Sequence, residues 1–351
     1  HLPPVAHYFL SRRSSDLGFL FIRLSSVRDI VLTEPAVAAL RERFPDARVG
    51  FAIKRRFTDL VAGNEAVDRV HPFDETGGGL RRLAGEIRDA SYRFVIDLHS
   101  NARSRVLSRA AGAETVLRYR KRDPFDSISV RVLRRPYRAS RRLVSRYLET
   151  LSPLGVETSY RAPRFHLRDT DRQRGDERLA DAGLGDSRLL VVAPGAVWQT
   201  KRWPAVRFAE VVGEAAATWD LRPVAIGASA ERDLAETVVS AVPGAWNAAG
   251  LLSLGESASV IARGCIYVGN DSGPTHIARA VGTPTVAVFG PTDPGQFSFE
   301  GHELVYADLP CSACSFYGGR RCREGHWDCM RSVRSADVLG AMERLLEDRE
   351  T

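Results

Sequence analysis

Long apolar runs are missing from this chain: no uninterrupted stretch approaches the ~20 residues a helix needs to cross a bilayer, which excludes a bundle of membrane-spanning helices. The opening residues, HLPPVAHYFLSRRSSDL, lack the basic, then apolar, then small-residue plan of a secretory signal. Within them RRSSDL reads as a translated sequencing adapter, so part of this stretch is expected to be non-native and function is sought from Leu17 onward. Lysine is scarce, confined to Lys54, Lys121 and Lys201, while every other basic residue except histidine is arginine. Codon bias explains such a skew without reference to function, and it makes a lysine that survives inside a motif more informative. The GxGxxG dinucleotide fingerprint is absent, and Gly77-Gly78-Gly79 follows an acidic turn rather than a strand, as a loop does. Cysteine is limited to Cys265 and a tight group of Cys311, Cys314, Cys322 and Cys329. Without a secretory signal, reduced thiols or a metal fit that group better than a disulfide framework.

What is present is the composition of a globular protein, with 44% hydrophobic and 26% charged residues over 351 positions, enough for two ordinary domains. A net charge of +7 points to an anionic partner without identifying it. Short β-branched or apolar runs alternate with amphipathic stretches, the habit of parallel α/β folds. Strands are expected at residues 19–24 (FLFIRL), 48–53 (RVGFAI) and 94–98 (FVIDL), the last running into the polar loop His99-Ser100-Asn101. A second series is expected at 189–193, 223–226, 266–268 and 285–289, and an amphipathic helix at 335–346. Periodicity fades over 160–174, where Pro163 and the charge run RDTDRQR mark a linker. The expected organisation is an α/β chain with an N-terminal Rossmann-like domain over 17–165, a second over 175–334 and a terminal helix over 335–351, with ligands at the carboxyl ends of the strands.

The strongest local pattern is YVGNDSGPTHIARA at 267–280, followed by VGTPTVAVFGPTDP. A strand runs into a polar turn, and a helix starts directly behind it. Pro274 suits the first helical turn, Asp271 or Ser272 can cap it, and Gly273 permits close backbone approach. Exposed amides and the helix dipole then make a phosphate site. An ordinary capped helix has the same local sequence; His276 in the first turn and the second turn Phe289-Gly290-Pro291-Thr292 favour a site.

NDSGPTHIARAVGTPTVAVFGPTDP resembles the hallmark of the lipopolysaccharide heptosyltransferases, glycosyltransferase family 9. IRLSSVRDIVLTEPAVAALRERFPDA resembles the family's opening segment, and VIDLHSNARS and TKRWPAVRFAEV recur between the two, so the resemblance runs in order from Leu17. It implies a GT-B fold, two Rossmann-like domains facing across a cleft, with the acceptor held by the N-terminal domain and the nucleotide-sugar by the C-terminal one. It implies an inverting, metal-independent transfer of a heptose from ADP-heptose to the inner core of lipopolysaccharide or a similar anionic, lipid-linked glycan. By position, Asp29 matches the family's proposed catalytic base; an inverting displacement needs a carboxylate to take the acceptor's proton. The same residue stands where it can N-cap a helix beginning at Ile30. Ser25, Ser26 and Arg28 flank it on the acceptor side. Lys201, with Thr200, matches the basic element that meets the donor phosphates, where a fixed cation stabilises departing charge. Glu231 matches the ribose position, Leu252 the apolar cover of adenine, and Asp271, Ser272, Gly273, Pro274, Thr275 and His276 the donor contacts of the hallmark.

Two departures bear on substrate choice. Arg28 stands where the family usually has glycine, and the loop Gly195-Ala196-Val197-Trp198-Gln199-Thr200 offers one hydroxyl where the family has several. The segment RVLRRPYRASRRLVSR over 131–146 is either a solvated helix face or a contact for phosphorylated lipid headgroups or glycan phosphates. No recognised fold or aromatic interleaving accompanies the charge to indicate nucleic acid. Cys311, Cys314, Cys322 and Cys329 supply enough ligands for a structural zinc, although their spacing differs from common zinc ribbons. The enzyme is expected in the cytoplasm or peripherally at the inner face of the inner membrane. Two alternatives remain open at this point: a nucleotide-sugar epimerase on the same fold, and a non-catalytic nucleotide-sugar-binding protein.

Overall fold

The computed structural model describes residues 17–121 and 124–348. The chain divides into two compact units. Of the described residues, one holds 17–121 together with Arg141–His166, and the other holds Pro124–Ser140 and 167–348. Residues 1–16, the suspected adapter-derived stretch, lie outside the described residues.

The first unit is built on a parallel sheet of β1 (Gly18–Ile22), β2 (Arg48–Lys54), β3 (Arg69–Phe73), β4 (Phe94–Asp97) and β5 (Thr115–Arg118), in the order β3-β2-β1-β4-β5. β1 reads GFLFI and is buried at every position, the continuous apolar run of a strand covered on both faces. Phe19 stacks on Phe44 and Phe94, with centroids 5.1 and 4.9 Å away. β3 escapes a reading by pattern because RVHPF carries Pro72, which suits an edge strand only.

The second unit holds β6 (Leu189–Ala193), β7 (Arg222–Ala225), β8 (Trp246–Asn247), β9 (Gly264–Asn270), β10 (Thr285–Phe289) and β11 (Glu303–Tyr306), in the order β11-β10-β9-β6-β7-β8. Its pairings are again parallel. Val338, Ala341, Met342 and Leu345 of the terminal helix Ser335–Glu347 join the core around Trp203 and Phe208. In both units the first strand lies inside the sheet, the next two extend to one side and the later ones to the other. The crevices of topological reversal therefore fall between β1 and β4 and between β6 and β9, where open α/β sheets bind ligands.

Three local features differ from expectation. The charge run RDTDRQR opens the helix Asp169–Asp181, with Arg168 bonded at 2.7 Å to each oxygen of buried Asp171. A short helix begins at Val27 rather than Ile30, with Ser26 as its N-cap, so Asp29 is the third helical residue and not the cap. Pro124–Ser140 packs with the second unit: Tyr137 donates its amide to Ala313 (2.8 Å) and meets Phe316 edge-on, and Arg323 donates to the Val130 carbonyl (2.6 Å). Among the described residues no helix is long and apolar enough to cross a membrane.

Candidate functional site

In the first unit the loops after β1 and β4 carry a buried charged group. Asp29 Oδ2 accepts from Arg23 Nη2 (2.8 Å) and Ser26 Oγ (3.0 Å), and faces the Ser26 amide at 3.4 Å. Arg28 Nε stands 3.4 Å from Oδ1. Burial opposes charge on Asp29, but the Arg23 and Arg28 guanidiniums and the Ser26 hydroxyl outweigh it and hold the carboxyl well below the usual carboxylate range. Arg23 also donates to the Leu98 carbonyl (2.5 Å), tying the end of β1 to the loop that presents His99. That imidazole is pushed down to about 4, first by burial and then by Arg23 and Lys121, and so is neutral at pH 7. Ser25 is half-buried and Ser26 exposed. Asp97 anchors the β4 loop by accepting from the His99 and Ser100 amides and from Ser104 Oγ.

In the second unit the loops after β6 and β9 meet. Lys201 Nζ lies 2.5 Å from Asp271 Oδ2, with the two side chains 8% and 1% exposed. Thr292 Oγ1 donates to Asp271 Oδ2 (2.6 Å), and His276 Nε2 approaches Oδ1 at 3.4 Å. Asp271 is thus turned towards its protein neighbours, and Ser272 occupies the N-cap position of the helix Gly273–Ala280 without a capping bond from its side chain. Pro274 lies in the first turn, and Thr275 is buried, donating to the Asn270 carbonyl (2.5 Å). Asn270 clamps the loops together, donating to the Pro194 carbonyl (2.8 Å) and accepting from the Trp203 amide (2.9 Å). Thr200 Oγ1 is engaged by Gly319, donating to its carbonyl (3.0 Å) and accepting from its amide (2.8 Å).

The Glu231 carboxylate accepts from the Ala228 amide (2.9 Å) and lies so close to Gly195 that a Cβ there would come within 2.2 Å of it. Glu231 therefore borders the loop that leads to Lys201. Leu252 is half-buried, next to the stretch where Gly250 donates to the Gly227 carbonyl (2.9 Å). Sequence assigns Arg23 and Asn270 no role of their own, whereas Thr292 lies in the second turn, Phe289-Gly290-Pro291-Thr292, that favours a site. A charged residue closing the apolar run FLFI was the one available signal for Arg23.

The four clustered cysteines and His326 line one cavity of about 170 Å³, whose wall includes Thr200 and Gly319. Cys311 Sγ lies 3.8 Å from His326 Nε2. Burial and then the neighbouring thiols push Cys329 up to about 12. Among the described residues no three histidine, cysteine or acidic side chains stand in an arrangement that holds a metal.

The model of glycosyltransferase family 9 (heptosyltransferase) matches residues 80–324. Lipopolysaccharide heptosyltransferase 1 of Pseudomonas aeruginosa is 30% identical over 322 residues, 84% of this chain and 85% of the relative. The solved structure of a family 9 glycosyl transferase from Veillonella parvula aligns at a TM-score of 0.77 and 23% identity, covering 96% of this chain and 99% of that one. E. coli heptosyltransferase WaaC, solved with ADP, aligns at 0.66 and 19% identity, covering 94% and 98%. The fold of these structures, GT-B, is the fold of this chain.

Proposed function

Because the chain belongs to glycosyltransferase family 9, the heptosyltransferases, and is a glycosyltransferase of the lipopolysaccharide type, we propose that it moves a heptose from ADP-heptose to a lipid-anchored inner-core glycan, with inversion and without a catalytic metal. The observation that carries the donor assignment is the buried Lys201–Asp271 pair at the start of the helix Gly273–Ala280, whose first-turn amides take no bond from the Ser272 side chain. A diphosphate at that turn meets a fixed cation and the positive end of a helix dipole. The structure of WaaC with ADP supports adenine as the donor base; Glu231 is assigned to the ribose and Leu252 to the cover of the base by their positions in the motifs.

The acceptor hydroxyl attacks the anomeric carbon as the bond from that carbon to the diphosphate oxygen breaks; ADP leaves and the proton passes to Asp29. Arg23 and Arg28 keep Asp29 ionised at the expense of basicity. A weak base suffices, since the attacking oxygen becomes far more acidic than a carboxylic acid as its new bond forms. Oδ2 is held by Arg23 and Ser26, leaving Oδ1, with Arg28 beside it, to receive the proton. Ser25, Ser26 and Arg28 would line the acceptor side. Such an enzyme works in the cytoplasm, at the membrane face that carries its acceptor. Asp29→Asn should retain ADP binding by calorimetry while turnover falls ~10²-fold or more. Near-wild-type turnover would remove Asp29 from the mechanism.

A structural zinc at Cys311, Cys314, Cys322 and Cys329 is part of the same proposal, on the strength of four thiols sharing one cavity behind Thr200. Loading has to draw those thiols together, since no three of them are in ligating arrangement. Zinc analysis of protein purified without chelator is expected to give one equivalent; substoichiometric metal rejects the site.

A further inference from the structure

We propose that the face formed by the helix Pro124–Arg131, its continuation to Arg138 and the adjoining cysteine loop docks on an anionic lipid bilayer, with aliphatic side chains entering the headgroup layer and arginines binding lipid phosphates. The inference extends the proposed lipid-anchored acceptor, but its test requires no sugar transfer. Val130 is buried, in a small cluster with Tyr137 and Phe316, and fixes how the helix sits on the second unit. Ile128 and Val132 stand two residues to either side, some 200° round the helix from Val130, and are therefore turned outward. They are 51% and 70% exposed, and Leu133 beside them is 50% exposed. The turn persists to this point because Val132 and Leu133 both donate to the Ile128 carbonyl, and Arg134 ends it in the left-handed region.

Three large aliphatic residues held open on one short stretch are an unusual surface for a protein that lacks a partner there. Exposed arginines accompany them along the chain and on the loop joined to this helix. Arg134, Arg135 and Arg138 follow directly, and Arg320, Arg321 and Arg323 lie on the cysteine loop, which Arg323 joins to the helix through the Val130 carbonyl. Tyr317, next to the anchoring Phe316, is 42% exposed and is of the residue type that favours a membrane interface. Asp308 offsets part of this charge by pairing with Arg138, and Glu324 lies beside Arg323. A glycan or nucleic acid would use the arginines and gain nothing from Ile128, Val132 and Leu133. A bilayer with anionic headgroups uses both, the aliphatics entering as the guanidiniums stay at phosphate depth.

The test is co-sedimentation of the full chain with vesicles of phosphatidylcholine alone and of phosphatidylcholine with one-third phosphatidylglycerol, at low and high salt. Binding is expected to the anionic vesicles and to weaken with salt. Arg134→Ala with Arg135→Ala should weaken it about 25-fold, at about fivefold per arginine. Val132→Asp with Leu133→Asp should weaken it at least as much, while Val106→Asp, at an exposed aliphatic in the first unit, should leave it unchanged. Thermal melting and ADP binding, measured on every variant, confirm that the fold is retained. Equal binding to neutral and anionic vesicles overturns the proposal, as does loss in the arginine variant without loss in the aspartate variant, which marks a polyanion site rather than a bilayer surface. Tighter binding to an RNA oligomer than to the anionic vesicles also overturns it. If Asp29→Asn proves fully active yet binds vesicles as the wild type does, the docking face stands and only the catalytic assignment fails.

Discussion

Replacing Lys201 by Met separates what this lysine does for the fold from what it does for the donor. The Lys201–Asp271 contact is 2.5 Å long and nearly sealed from solvent, so the substitution leaves a carboxylate buried without its cation. Breaking such a pair from one side costs about 3–5 kcal/mol. Thr292 still donates to Asp271 at 2.6 Å, which places the expected loss near the lower end. At about 2–4 °C per kcal/mol for a unit of this size, the melting temperature should fall by about 6–12 °C. Adding Asp271→Asn removes the stranded charge and should recover most of that fall. ADP binding should behave differently. A hydrogen bond from a cation to phosphate contributes about 1.5–3 kcal/mol, so affinity should drop about 10- to 150-fold in Lys201→Met. It should stay low in the double variant, which still lacks the cation. Scanning calorimetry and titration calorimetry on the three proteins decide the matter. An unchanged melting temperature in Lys201→Met refutes the energetic argument for the pair. Recovery of ADP affinity in the double variant refutes the phosphate contact.

Two further outcomes follow from the buried ionisable groups. Asp29 has a folded-state pKa below its ordinary value, so the stability it contributes is present above about 3.9 and lost as pH falls below it. Arg23→Met removes the nearest guanidinium and should move the acid limb of kcat/KM to higher pH, with Arg23→Lys moving it less; an unmoved limb in a folded Arg23→Met protein rejects electrostatic control by Arg23. His71 is buried against Tyr92, and burial, then Arg69, push it down to about 4. Between about 6.5 and about 4 the unfolded chain binds a proton that the folded chain refuses, so stability falls as pH drops through that window. The fall in melting temperature across that window should be smaller in His71→Gln than in the wild type, and an equal fall in both shows that His71 does not titrate this way.

The interior strands were legible because a strand covered on both faces must be apolar throughout, and LLVVA in β6 and TVAVF in β10 have no other reading of that length. The edge strands were not. β3 contains Pro72, β5 alternates half-buried with exposed residues, and β8 has two residues. The short helix over Val27–Val31 depended on Ser26 as cap, one of several hydroxyl or acidic residues near that turn.

The candidate site divides along the same line. Sequence alone determined the order of the motifs and the strand–turn–helix at 267–280, because each depends on neighbours a few residues away; Asp29, Lys201 and Glu231 are assigned by their match to the family's motifs. Only the tertiary structure decided that Arg23 pairs with Asp29 and reaches the Leu98 carbonyl, 75 residues along the chain. It alone turned Asp271 towards Lys201, Thr292 and His276, leaving the N-cap position to Ser272. It alone attached Pro124–Ser140 to the second unit through Tyr137 and Phe316, leaving Ile128, Val132 and Leu133 exposed. A buried ion pair or an aromatic contact is selected by which distant groups exclude water together, and that exclusion exists only once both sheets have folded.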